Sequence, residues 1–101
     1  MGTAMTLSYE AARAQVIDAA KPGWDNGTFC LDDREIVEND DMFVFNIGAR
    51  EFLVDNNTSF AVVGGVWVVY KSDGRVTTLP SVDVAMDPSI RIRPNPAPTM
   101  S

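Results

Sequence analysis

The most chemically conspicuous residues are acids gathered in one stretch. Positions 25–41 hold Asp25, Asp32, Asp33, Glu35, Glu38, Asp40 and Asp41, with only Arg34 opposing them. Such a patch can steer a basic partner and raise its association rate by roughly 10- to 1000-fold. The plainer alternative is a solvated edge strand whose charges discourage sheet-to-sheet aggregation. As a calcium loop the stretch is poor, because it lacks the alternating acids, central glycine and terminal glutamate of one. Asp32, Asp33, Glu35, Glu38, Asp40 and Asp41 are therefore candidate partner-binding residues, with no metal ligand assigned. Arg50 joins them, since its planar fork can take a carboxylate from a partner, although Glu51, Asp55 or an acid across the sheet can claim it equally. Trp67 is the residue type that anchors interfaces. For catalysis the sequence offers little. Cys30 has no histidine to activate it, for the chain contains none, and in Thr28-Phe29-Cys30-Leu31 it reads as a buried apolar residue. Gly64-Gly65 lacks the lysine and hydroxyl of a phosphate loop. Asn26-Gly27-Thr28 and Asn56-Asn57-Thr58 match the glycosylation sequon but read as loops. No catalytic residue and no cofactor is assigned.

The chain that must position these groups is short. At 101 residues, 46% apolar and 22% charged, it makes one small domain. A net charge of −6 argues against nucleic acid or an anionic membrane as the main partner. The apolar run at 60–70 is interrupted by Gly64 and Gly65 and is too short to cross a bilayer. No charged-then-apolar leader opens the chain. A single cysteine forbids an internal disulfide and suits a reducing compartment, so a cytoplasmic location is expected.

A helix is predicted over 9–20. Tyr9, Ala12, Val16, Ile17 and Ala20 share one face, Thr6 or Ser8 caps the start, and Pro22-Gly23 stops the run. From Arg34 the period changes to two. Strands about 34–38 and 42–49 form a first hairpin, with Phe43, Phe45 and Ile47 on one face and Met42, Val44 and Asn46 on the other. A second hairpin joins Val66-Trp67-Val68-Val69-Tyr70 to Arg75-Val76-Thr77-Thr78-Leu79, with Gly74 closing a type I turn and bulge. Thr58 or Ser59 starts a short helical turn that runs to Gly64-Gly65. Val82, Val84 and Met86 alternate, as do Ile90 and Ile92, which predicts a last extended stretch along the sheet. Positions 94–101 carry three prolines and read as an extended, mobile tail.

Phe43-Val44-Phe45-Asn46-Ile47 running into Ala49-Arg50-Glu51-Phe52-Leu53, then Gly65, the strand 66–69 and Lys71-Ser72-Asp73-Gly74, resembles the YrhB-like family of small bacterial proteins. That family is grouped with the immunity proteins of polymorphic toxin systems (family thirty-five). The likeness spans roughly 8–81. The short middle loop and the Pro-rich tail depart from it. It implies an inhibitor-like or chaperone-like binding protein rather than an enzyme, and brings no catalytic residues with it.

The expectation is an α+β fold, one N-terminal helix packed on a four- to five-stranded antiparallel sheet. The domain runs 6–93, with the start at 1–5 and the tail at 94–101 set apart. Val16 and Ile17 should contact Phe43, Phe45 or Val68. One helix covers only one sheet face, so 82–92 folding back, a homodimer or a toxin domain must shield the other. The expected function is stoichiometric association with a partner protein. Its alternatives are a small-ligand or enzymatic pocket between helix and sheet, walled by Trp24, Trp67 and Tyr70, or an accessory structural protein.

Overall fold

The computed structural model describes residues 7–61 and 65–100. Its elements run α1 (Tyr9–Ala20), β1 (Phe29–Glu38), β2 (Met42–Ala49), α2 (Arg50–Leu53), a single 3-10 turn (Thr58–Phe60), β3 (Gly65–Tyr70), β4 (Val76–Pro80), α3 (Ser81–Ala85) and β5 (Arg91–Pro94). This is the expected α+β class, with a five-stranded sheet in the order β4-β3-β2-β1-β5 and every neighbour antiparallel. Strands β1 to β4 form a meander. The chain then crosses from the β4 edge to the opposite edge, where β5 pairs with β1.

Helix α1 begins where Ser8 caps it, the hydroxyl accepting from the Ala11 amide at 3.2 Å. Thr6, the other candidate cap, lies outside the described residues. The helix stops at Pro22-Gly23, with Gly23 at φ +77° and the Trp24 amide closing onto the Lys21 carbonyl. Its buried face is Ala12, Val16 and Ala20. Of these, Ala12 and Val16 join Leu31, Ile36, Phe43, Phe45 and Val69 in one core, with Tyr9, Ile17, Ile47 and Trp67 packed around the edge. Tyr9 stacks on Phe45 at 5.5 Å and meets Phe43 edge-on at 5.6 Å. The expected contacts of Val16 and Ile17 thus fall on the face of Phe43 and Phe45. Val68 lies on the other face, with Met42 and Val44.

The second hairpin turns as its residues dictate. Gly74 sits at φ +72°, its amide donates to the Tyr70 carbonyl, and the Tyr70 amide donates to Arg75. That is a type I turn followed by a bulge.

Four expectations need correction. Strand β1 begins at Phe29 rather than near 34, because the apolar Phe29-Cys30-Leu31 run pairs with 47–49 of β2. Arg50–Leu53 forms the short helix α2, and the later helical turn ends at Phe60; positions 62–64, where it was expected to continue, lie outside the described residues. Residues 81–85 form helix α3 rather than an extended stretch. Val84 and Ile90 pack from this crossover onto Met42, Val44 and Val68, so it does shield the second face. Finally, the tail is not loose, since Asn95, Ala97, Thr99 and Met100 are all hydrogen-bonded.

Candidate functional site

Strand β1 carries most of the predicted site and is also the irregular strand. Asp32 pairs with Asn46 and Val37 with Val44, so Asp33-Arg34-Glu35-Ile36 face the single residue Phe45. This bulge turns both Asp33 and Ile36 toward the helix side. Asp33 is 1% exposed, and buried carboxylates persist only when paired and hydrogen-bonded. The Thr99 amide donates to it at 2.9 Å, the Met100 amide at 2.8 Å and the Thr99 hydroxyl at 2.8 Å. Arg13 of α1 lies 3.3 Å away. Burial pushes the Asp33 pKa up, but the two amides, the hydroxyl and Arg13 outweigh it and hold it below the ordinary aspartate value. The Asn95 side chain donates to the Asp33 carbonyl at 2.7 Å, and the Asn95 amide donates to Arg34.

Folding pairs several of these acids with cations. Asp32 is bridged by Arg34 at 2.7 Å. Glu38 is bridged by Lys71 at 2.7 Å and Arg93 at 3.0 Å, and Asp40 by Arg91 at 3.1 Å. Hydrogen bonds from Arg34 lower the Asp32 pKa, and those from Lys71 and Arg93 lower that of Glu38, in each case against the cost of burial. Lys71 also sits 4.6 Å from the Phe43 ring centre. Glu35 and Asp41 are exposed. Asp33 is enclosed by Thr99 and Met100 in this structure, and Asp32, Glu38 and Asp40 already hold cations. Only Arg34 of those cations lies within the acidic stretch; the rest come from distant positions that a linear reading cannot bring together.

Arg50 pairs with neither Glu51 nor Asp55. It donates to the Met100 carbonyl at 3.1 Å, and the buried Cys30 thiol lies 3.5 Å from the same oxygen. Burial pushes the Cys30 thiol pKa up, the opposite of what a nucleophile needs. Glu51 accepts from the Thr28 amide and hydroxyl at 2.9 and 3.0 Å, which ties α2 to the loop before β1. Gly27 in that loop stands so close to Glu51 and Phe60 that a Cβ would clash with both. Trp67 is half-buried, with part of its ring packed against the helix-side core.

A cleft of about 570 Å³ lies beside the N-terminal half of α1, with Tyr9, Arg13, Asp33, Phe43, Arg93 and Thr99 among its walls. None of Trp24, Trp67 and Tyr70 lines it. Its guanidinium groups are engaged on Asp33 and Glu38. On the other face a smaller hollow of about 330 Å³ is bordered by Asp32, Arg34, Glu35, Val37, Val44 and Asn46. Val82 and Met86 on the crossover and Ile92 on β5 stand at 60, 78 and 62% exposure, a feature concealed by their apparent alternation in the sequence. Among the described residues no group of three or more metal-ligating side chains occurs, and no helix is long and apolar enough to cross a membrane. Comparison of the chain with protein-family models, with curated proteins and with solved structures returned no match.

Proposed function

We propose that the chain is a non-enzymatic protein-binding factor, of immunity or chaperone-like type, that acts by stoichiometric association in the cytoplasm. The observation that carries this reading is the exposure of Val82 and Met86 on the crossover and of Ile92 on β5. Large apolar side chains left in solvent are available as contact points for a partner protein. The resemblance carried by 43–53 and 65–74 supports the same class and names a toxin domain as the partner. A second copy of the chain is the other protein able to make those contacts. The acids contribute less than their number suggests, because Asp32, Asp33, Glu38 and Asp40 are each paired with a cation within the fold.

Titration calorimetry against toxin domains encoded beside the gene tests the proposal. Binding is expected, weakened at least about tenfold by Met86→Asp, which is the effect of losing about 1.4 kcal/mol at an interface. Unchanged affinity in Val82→Asp, Met86→Asp and Ile92→Asp alike would remove these exposed residues as the interface. The second reading, a small-ligand site, has the cleft beside α1 in its favour; a ligand there would protect Tyr9 and Phe43 without changing the assembly state.

A further inference from the structure

The Thr99-Met100 dipeptide is gripped at its polar groups as a bound peptide would be. Its two amides and the hydroxyl converge on the buried Asp33 carboxylate. Its distal carbonyl takes Arg50 at 3.1 Å and faces the Cys30 thiol at 3.5 Å. Arg13 bonds the Thr99 hydroxyl at 2.7 Å from the helix side. The connection back to Asn95 is different in kind. Pro96, Ala97 and Pro98 are exposed, and the first two border the cleft beside α1. A segment anchored by polar bonds through an exposed linker belongs to the least stable part of a fold and opens locally. Met100 moreover stands at φ +53°, a backbone conformation that a side chain disfavours and that glycine or asparagine adopts readily.

We propose that the Asp33–Arg50 grip is a docking site for an extended segment of a partner protein, held in this state by the chain's own tail. The segment that fits carries threonine or serine, for the Asp33 and Arg13 bonds, followed by glycine or asparagine, for the left-handed position. Such a segment makes the same bonds as Thr99-Met100 without the backbone cost, which gives it the means to displace the tail. The site rests on the reading of this chain as a protein binder, yet it is separate from the exposed crossover.

The probe is a dye-labelled, amide-capped peptide, Asn-Pro-Ala-Pro-Thr-Gly, followed by fluorescence anisotropy on the full chain. Thr99→Pro removes one amide and the hydroxyl and frees the site. Because a tethered tail competes at an effective concentration of about 1 mM, the peptide should bind this variant at least about tenfold more tightly than the unaltered chain. Adding Asp33→Asn should cost at least about tenfold, as losing a hydrogen-bonded charge does. A folded Thr99→Pro chain that binds the peptide no better than a scrambled one would overturn the proposal. If that variant does not fold, hydrogen exchange on the unaltered chain decides: excess peptide must speed exchange of the Thr99 and Met100 amides, and unchanged rates overturn it. No toxin domain is needed, so failure of the calorimetric titration and failure here are distinct results.

Discussion

The two faces of the sheet are built to different standards. On the helix side, twelve residues of α1 close over Phe43, Phe45, Leu31, Ile36 and Val69, all at most 5% exposed. On the crossover side, the covering chain offers only Val84 and Ile90 to Met42, Val44 and Val68, and turns Val82 and Met86 outward. The difference follows from geometry. A helix of three turns presents a continuous apolar stripe, whereas the five residues of α3 and the loop after them present isolated side chains. The helix side holds the fold together, and the crossover side has surface to spare.

Truncating each face measures that contrast. Phe45→Ala should cost about 3–5 kcal/mol, because a fully enclosed ring leaves a cavity that rigid neighbours cannot fill; an unchanged urea midpoint would show that the helix side does not hold the fold. Asp33→Asn should cost about 1–3 kcal/mol, since the amide cannot accept all the donors aimed at the carboxylate. Met42→Ala, on the thinly covered face, should come near about 2 kcal/mol, the low end for its type, because the crossover can settle into the gap. A loss equal to that of Phe45→Ala would show the two faces to be equally rigid.

Acidification sharpens the picture in a different way. The folded pKa values of Asp32, Asp33 and Glu38 are lowered, so the stabilisation they give is complete above their unfolded values, about 4. It is lost as pH falls through the lowered folded values. Denaturant titrations at about pH 6 and pH 3 should therefore show lower stability in acid, with a smaller loss in Asp33→Asn. The smallest effect belongs to the exposed crossover. Val82→Ser and Met86→Ser should each change stability by less than about 0.5 kcal/mol while altering partner binding.

Local patterns carried the helix side well. The spacing of Tyr9, Ala12, Val16 and Ala20, the alternation through Phe43, Phe45 and Ile47, and the glycine at 74 each have one local solution. The crossover had two. Val82, Val84 and Met86 alternate, but 82 and 86 are also one helical turn apart, and a window of five residues cannot separate the periods. The start of β1 was hidden because Cys30, Leu31 and Asp33 are all buried, which a regular strand with one wet face does not allow. The order of the tail is not legible locally, because its prolines argue for mobility while its anchor, Asp33, lies 66 positions away from Thr99. The acids misled for the same reason, since Arg13, Lys71, Arg91 and Arg93 arrive from other parts of the chain.

During synthesis β1 leaves the ribosome with one margin bare, and that margin stays bare until β5 follows about fifty residues later, an interval of roughly 3–10 s. An unpaired strand waiting that long invites adhesion to neighbouring nascent chains. Carboxylates at 32, 33, 35 and 38 keep it wet and mutually repellent in the meantime. The arginines at 91 and 93 then arrive on the strand that ends the wait.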